Sequence, residues 1–225
     1  FEQDPSEINN SAYETYFEEK RPFFIEQSQI FITPIEIFYS RRIGDKNFRY
    51  FYEDDNGDNK YAELESKVDG ALKLSGRKNT GFSYGLILAQ SRIPNSYFQL
   101  DDNKALYSIF RSKKEMLYGK SYIGLINSNF YFEDLSSHVF AIDGIFDFNK
   151  YGLELSYQYA KSVVENNEGF ASTYELDYNS KSMNLSGNDN EFYIESWIRQ
   201  DNFDKSFNID HLGYIYRNNI KSMDL

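Results

Sequence analysis

Two short stretches of the chain carry residue types that could bind phosphate or calcium. Residues 119–121 read Gly-Lys-Ser, the end of a phosphate-binding loop, but that loop needs a glycine where this chain has Lys114. Residues 54–59 are rich in Asp and Asn. Glu65 fits the twelfth position of a calcium loop, but Asn59 occupies the sixth, which requires glycine. We predict a hairpin turn at 119–121 and a solvated turn at 54–59, with weak surface calcium binding as the alternative.

The chain has two histidines and no cysteine. A zinc site would need His138 and His211 brought together with a carboxylate. Each histidine lies near the start of a predicted strand, where an interfacial or turn position is the simpler interpretation. The sequence has no nucleophile elbow and no Cys/His pair, and nothing marks two carboxylates as a general acid and base. We therefore predict no metal, no cofactor and no enzymatic activity.

The elements that would position any such residues are β-strands, because the dominant hydrophobic period is two. In residues 153–160, Leu, Leu, Tyr and Tyr alternate with Glu, Ser, Gln and Ala. In residues 68–77, Val68, Gly70 and Leu72 are predicted on one face and Asp69 on the other. Segments of about ten residues with this alternation are typical of membrane-spanning strands. Similar patterns occupy residues 82–88, 138–149, 174–178 and 212–217.

One face of these strands is charged. If the aromatic faces meet lipid, the charged side chains project into a barrel lumen, where their ordinary role is to solvate the interior and pair with one another. The alternative role is electrostatic selectivity for a solute. The predicted lumen-facing residues are Lys73, Arg77, Asp143, Asp147, Glu154, Gln158, Glu175, Asp177 and Arg217.

Composition narrows the class of protein. The formal net charge of −11 and the pI of about 4.7 argue against a nucleic-acid partner. No run of about 18 apolar residues is present, which excludes a transmembrane helix. Aromatic residues make up 18% of the chain although its mean hydropathy is −0.65, as expected for strands that are apolar on one face. Alternating strands also build soluble sandwiches and lipocalin-like barrels, so a soluble all-β ligand-binding domain is the alternative.

Charged and large apolar residues are adjacent in two places. Residues 18–26 read Glu-Glu-Lys-Arg-Pro-Phe-Phe-Ile-Glu, and residues 38–44 read Phe-Tyr-Ser-Arg-Arg-Ile-Gly. Buried charge is costly unless paired, and exposed Phe-Phe-Ile favours association, so we expect this segment to lie against a wall that is both polar and aromatic. The predicted lumen-packing motif comprises Glu18, Glu19, Lys20, Arg21, Pro22, Phe23, Phe24, Arg41 and Arg42.

These patterns predict one domain over residues 1–225, with a lumen-associated segment at 1–34 and antiparallel strands over 35–225. Residues 5–14 are predicted to contain a helical turn or two. An extended stretch is predicted at 35–42. The basic residues of the lumen-packing motif are predicted to pair with acidic residues of the strands.

The two motifs resemble a large family of Gram-negative outer-membrane proteins. That family has a secretory signal, a carbohydrate-binding module similar to family 9 and a C-terminal β-barrel domain of unknown function. The resemblance implies an antiparallel, up-and-down transmembrane β-barrel. This chain is expected to supply its first part, as an open curved sheet. It also implies contact with outer-membrane lipid, and with glycans through a module absent from this chain. The implied role is a channel or anchor linked to carbohydrate binding or uptake. The residues that carry the resemblance are 4–9, 14–26, 38–44, 71–77, 204–208 and 213–217.

Overall fold

The computed structural model describes residues 16–44, 48–53, 56–64, 66–93, 104–117, 120–180, 193–217 and 219–224. Eleven strands lie within these ranges, together with a one-turn helix α1 at Pro22–Ile25 and short 3₁₀ helices at Ser28–Phe31, Ser40–Arg42 and Asn149–Tyr151. The strands are Phe48–Glu53 (β1), Asn59–Leu64 (β2), Lys67–Arg77 (β3), Phe82–Arg92 (β4), Lys104–Met116 (β5), Ser121–Phe132 (β6), Leu135–Phe148 (β7), Leu153–Val164 (β8), Asn167–Asn179 (β9), Glu195–Phe203 (β10) and Ile220–Asp224 (β11).

Strands β3 to β11 form one antiparallel sheet in which every strand pairs with its neighbours in sequence. The edge strands β3 and β11 do not pair with each other, so the described sheet is open. Strands β1 and β2 form a separate hairpin. The predicted all-β, antiparallel, up-and-down fold is therefore confirmed. The described residues contain no helix long and apolar enough to cross a membrane.

The two faces of the sheet differ because successive side chains of a strand point to opposite sides. On one face, which we call the inner face, Ile87, Ile109, Ile126 and Val139 are fully buried. The opposite, outer face exposes large apolar side chains. These are Leu72, Leu74, Leu88, Leu106, Phe110, Ile123, Tyr131, Phe140, Ile142, Phe148, Tyr159, Phe170, Leu176 and Tyr178.

Two irregular segments bury the inner face, and we call residues 16–44 the first cover and residues 204–217 the second cover. The first cover starts its helix α1 with Pro22, whose fixed φ suits the first helical position. Its buried apolar side chains join those of the sheet and of the second cover in one core. The second cover approaches closely at Gly169, where a Cβ would lie 2.2 Å from the backbone nitrogen of Phe207. The core residues of the covers are Phe24, Phe31, Ile35, Ile37, Tyr39, Ile43, Phe207, Ile209 and Leu212.

A β-bulge corrects one detail of the predicted alternation. The register of β3 on β4 shifts between Val68 and Gly70, so Val68 packs towards the core while Gly70 and Leu72 point outwards. The extra residue, Asp69, forms an ion pair with Arg92 at 3.1 Å on the outer side. A bulge reverses the face of everything before it, and strict period-two counting misses it.

The connections differ from those of a typical outer-membrane barrel, which has short turns at one end of the sheet and long loops at the other. The three longest links between paired strands are residues 93–103, 180–194 and 204–219, and the antiparallel order places 180–194 at the opposite end from the other two. The pairing of β5 with β6 confirms the hairpin predicted at 119–121, and the turn predicted at 54–59 falls between β1 and β2, which pair with each other.

Several predicted boundaries shift or lie outside the described residues. Residues 212–217 belong to the second cover, with one isolated bridge from Tyr214 to Glu36 instead of a strand. Residues 35–42 are extended only as far as the 3₁₀ helix at Ser40. The first strand begins at Phe48. The predicted helical turns at 5–14 lie outside the described ranges, as do Asp54 and Asp55 of the candidate calcium loop.

Candidate functional site

Arg21 joins the two sequence motifs of the first cover into one unit. Its guanidinium donates to both carboxylate oxygens of Glu19, Nε to Oε1 at 2.8 Å and Nη2 to Oε2 at 2.7 Å. It also donates to the main-chain oxygens of Ile43 at 2.6 Å and Ser40 at 2.9 Å. The arginine side chain is 4% exposed, so this set of acceptors is what makes its burial tolerable. The two motifs therefore stabilise each other.

The carboxylate of Glu19 is held in its charged form by the same contacts. Burial alone would raise its pKa, but hydrogen bonds from Arg21 and from the Ser40 hydroxyl outweigh burial and leave the pKa below its ordinary value. The prediction that Arg21 pairs with an acidic residue of a strand is therefore wrong. Its carboxylate partner is Glu19, two residues earlier in the same segment. A local pair forms at little cost in chain entropy, which favours it over a distant one.

The remaining residues of the predicted lumen-packing motif divide by exposure. Phe24 is buried beneath the guanidinium of Arg21, whose Cζ lies 4.4 Å from the ring centroid. Phe23 packs edge-on against Phe24 with ring centroids 5.0 Å apart. Arg41 donates to the main-chain oxygen of Glu18 at 2.9 Å. The exposed members of the motif are Glu18, Lys20 and Pro22.

The two covers meet along a seam of main-chain contacts. The nitrogen of Tyr39 donates to the oxygen of Leu212 at 2.8 Å, and the nitrogen of Tyr214 donates to the oxygen of Glu36 at 2.9 Å. Arg42 adds a hydrogen bond from Nε to the oxygen of Gly213 at 3.0 Å. The rings of Tyr39 and Tyr214 meet edge-on, with centroids 5.7 Å apart. The covers are thus one connected layer.

The seam contains a carboxyl group that sequence reasoning missed. Burial raises the pKa of Glu36 to about 7, and a hydrogen bond from the Tyr16 hydroxyl together with the charge of Arg42 offsets this only in part. The hydroxyl of Tyr16 lies 3.3 Å from Oε1 of Glu36. Burial likewise lowers the pKa of His211 to about 4, with Arg42 contributing. The imidazole of His211 stacks on Phe130 at a centroid distance of 4.9 Å.

Side chains from the sheet hold the main chain of the first cover. Lys73, predicted to face a lumen, donates from Nζ to the oxygens of Phe23 at 3.2 Å and Phe24 at 3.1 Å, and also to that of Glu26. Gln158 accepts from the nitrogen of Ile35 at 2.5 Å and donates to its oxygen at 3.3 Å.

Two further contacts of this kind involve Tyr107 on β5 and Ser162 on β8. The Tyr107 hydroxyl donates to the oxygen of Arg42 at 3.0 Å. The nitrogen of Asn208 donates to the Ser162 hydroxyl at 3.0 Å. These strand side chains satisfy main-chain groups that the irregular covers cannot pair internally.

A fully buried ion pair between Arg111 and Asp143 lies where the sheet meets the first cover. Both side chains are 0% exposed, and the guanidinium donates through both terminal nitrogens, with Nη2 2.7 Å from Oδ2. Its Nε donates to the oxygen of Ile30 in the first cover at 3.2 Å. Gly124 makes room for it, because a Cβ there would lie 2.7 Å from Nη1.

Sequence reasoning assigned Asp143 to this face but missed Arg111. Residues 111–114 read Arg-Ser-Lys-Lys, which is typical of a solvated stretch. The available signal was the period-two series Ala105, Tyr107 and Ile109, which is buried and continues to Arg111.

Beyond this ion pair, the inner face is only partly exposed and strongly acidic among the described residues. Asp147 lies opposite Glu154, and Glu154 lies opposite Asp177 on the next strand. Glu175 forms an ion pair with Arg199 at 3.1 Å, and Arg77 pairs with Glu115 at 2.7 Å. The structure thus places the predicted strand residues on the covered side of the sheet. Arg217 differs, because it lies in the second cover and is exposed.

Metal coordination has no support from the described residues. His138 bonds Asn129 at 3.0 Å through Nδ1 on the outer face, whereas His211 packs against the buried Phe130. The two histidines are therefore on opposite sides of the sheet. No three His, Asp or Glu side chains in the described ranges converge closely enough to hold a metal ion.

The fold and the inner-face contacts define a class of protein: an all-β domain with an open up-and-down sheet, one face of which is covered by two interlocked segments. Residues 1–225 match the family model described as a domain of unknown function, DUF5916. The chain belongs to this family. No curated protein and no solved structure matches it.

Proposed function

We propose that this chain forms part of an outer-membrane β-barrel whose outer face meets lipid and whose covers occupy the lumen. The observation that carries the proposal is the polarity of the sheet. Its outer face exposes large apolar side chains, whereas its inner face buries a fully paired Arg111–Asp143. A soluble sheet covers its apolar face and turns a polar face to water, whereas here the inner face is covered and the uncovered outer face is also apolar.

The apolar surface is continuous across strands. Leu74 lies opposite Leu86, and Leu86 lies opposite Phe110. Leu74 is 53% exposed and Phe110 is 42% exposed. Contiguous apolar patches of this kind are rare on soluble monomers because water does not solvate them, whereas lipid tails do.

The open edges of the sheet support a larger closed structure. In a bilayer, each unsatisfied main-chain group costs several kcal/mol, so β3 and β11 need pairing partners. We propose that strands from elsewhere in the same polypeptide close the barrel.

The functional role that fits this architecture is a channel or an anchor associated with carbohydrate binding or uptake. The carbohydrate association rests on the motif resemblance, through a module absent from this chain. The covered part of the inner face fits an anchor, and its acidic, partly exposed end fits a solute path. A nucleic-acid partner is disfavoured by the net charge of −11.

One observation favours the alternative, a soluble all-β ligand-binding domain. The outer face carries a polar network in which Asn129 donates to Ser108 at 3.1 Å and to Asn127 at 2.8 Å, and also contacts His138. Polar groups are unfavourable against lipid. In the membrane arrangement, the network is tolerated because its members satisfy one another.

Fractionation of the full-length protein in a Gram-negative host tests the proposal. We expect it in the outer-membrane fraction, extracted only by detergent, with different electrophoretic mobility before and after boiling. A monomer recovered in soluble form without detergent would overturn the membrane assignment and support the alternative. Single-channel recording of the purified protein would then separate a channel, which conducts, from an anchor, which does not.

A further inference from the structure

The covers could be a movable gate or a permanent part of the core, and their contacts bear on this choice. A gate that swings away needs an interface of modest area that solvent can re-satisfy. The first cover instead buries Phe24, Phe31, Ile35, Ile37 and Ile43 to 4% exposure or less. Releasing it would expose all of these side chains together.

The polar contacts are as unsuited to release as the apolar ones. Lys73 on β3, Arg111 on β5 and Gln158 on β8 each bind main-chain oxygens of the first cover. These strands extend across most of the sheet, so the cover is attached at several separated points. No single hinge contact controls the whole cover.

The seam extends this attachment to the second cover. Tyr39 with Leu212 and Glu36 with Tyr214 are joined through main-chain hydrogen bonds, which do not depend on side-chain rearrangement. The second cover is itself bound to β8 through Ser162 and lies directly on Gly169 of β9. Lifting either cover would break its contacts with the sheet and with the other cover.

We propose that the two covers form one fixed plug that stays on the inner face throughout the native state. Within the described ranges, the part of the inner face left for a solute or ligand is then the end beyond the Arg111–Asp143 pair, where Asp147 and Glu154 are partly exposed. The consequence for solutes rests on the proposed function, whereas the fixed attachment holds for a membrane or a soluble protein alike.

Thiol accessibility tests the proposal directly, because this chain has no cysteine of its own. Ser128→Cys places a thiol on the inner face of β6 beneath the plug, where the serine is 0% exposed. The matched control, Ser156→Cys, lies on the inner face of β8 at the uncovered end and is partly exposed. Both variants are made in the full-length protein in a background free of other cysteines, and are treated with a small charged methanethiosulfonate reagent.

We expect the S128C variant to react at least about 100-fold more slowly than S156C under native conditions, because it must wait for a rare opening. The two rates should become equal in denaturant. Comparable native rates, with strand circular dichroism retained, would overturn the fixed plug.

If S128C does not fold, Ser137→Cys on β7 serves instead, since Ser137 is also 0% exposed. The labelling experiment tests the fixed plug and the fractionation experiment tests the proposed function, so either hypothesis can fail without the other. Recovery outside the membrane would overturn the proposed function and leave the labelling contrast valid. Rapid labelling of a buried position in a membrane-inserted protein would overturn the fixed plug alone.

Discussion

Removing one partner of the Arg111–Asp143 pair should be far more damaging than removing both. In Asp143→Asn, the guanidinium stays buried and charged, but its described acceptors are then neutral: one amide oxygen at position 143 and the main-chain oxygen of Ile30. Both side chains are 0% exposed, so water cannot replace the lost carboxylate without opening the core. Breaking a buried pair in this way costs about 3 to 5 kcal/mol. That is a large share of a typical domain stability of about 5 to 15 kcal/mol.

The double variant Arg111→Met with Asp143→Leu should recover most of that loss. Replacing a buried ion pair with apolar side chains of similar volume is often neutral or stabilising, by about 1 to 4 kcal/mol, because neither charge then needs desolvation. The methionine loses the hydrogen bond to Ile30, which sets the remaining cost at about 1 kcal/mol. The methionine side chain also fills the space over Gly124 that the guanidinium occupies in the parent protein.

Equilibrium urea unfolding of the three proteins, followed by tryptophan fluorescence and circular dichroism, measures these differences. The control is Glu175→Gln, which removes a partner of Arg199 from a pair whose side chains are 32% and 36% exposed. It should cost less than about 1 kcal/mol. The reasoning would be refuted if Asp143→Asn cost no more than this control, or if the double variant were as unstable as the single one.

Three further outcomes follow from the same structure. Ser128→Ala should leave the free energy of unfolding unchanged or raise it, because the buried hydroxyl has no hydrogen-bond partner among the described residues. Ser162→Ala should instead lower the free energy of unfolding by about 1 kcal/mol, because it removes the acceptor of the Asn208 nitrogen. Urea unfolding of the two variants measures this difference. The folded pKa of Glu36 is about 7, above its ordinary value of 4.5, so the stability it contributes is fully present below pH 4.5 and is lost as pH rises through 7. Glu36→Gln should therefore flatten the pH dependence of thermal unfolding and be more stable than the parent at pH 8; an unchanged pH profile would contradict this. Ile142→Arg on the outer face should cost about 2 to 4 kcal/mol in a bilayer and lower the yield of folded membrane protein, whereas Ser156→Arg on the uncovered inner face should not. Equal yields of these two variants would argue against a lipid-facing outer surface.

The sequence predicts the sheet better than it predicts what covers the sheet. Period two assigns a face to each strand residue, and Asp143, Gln158 and Lys73 were placed correctly on one side of the sheet by that rule. The rule fails at Asp69, where one extra residue in β3 reverses the count. It also cannot say which part of a face is buried, because that depends on segments distant in sequence.

The partners of the charged residues show the same limit. Arg21 was expected to pair with a strand and pairs instead with Glu19, because a local carboxylate can reach it without ordering a long loop. Arg111 sits in a run of polar residues that resembles a solvated strand end. Its burial results from the docking of Ile30 above it and from the absence of a side chain at Gly124, neither of which has a local sequence signal.

The seam between the covers has a consequence for the order of folding. Each strand of the sheet pairs with its neighbour in sequence, so the sheet can grow one hairpin at a time through local contacts. The hydrogen bond from Arg42 to Gly213 instead joins residues 171 positions apart, and that from Ile35 to Gln158 joins residues 123 positions apart. Contacts with such large sequence separation form late, because the intervening chain must already be arranged. We therefore expect the first cover to dock only after β10 has joined the sheet and the second cover is close enough to form the seam. Destabilising the seam should then speed unfolding while leaving the folding rate nearly unchanged.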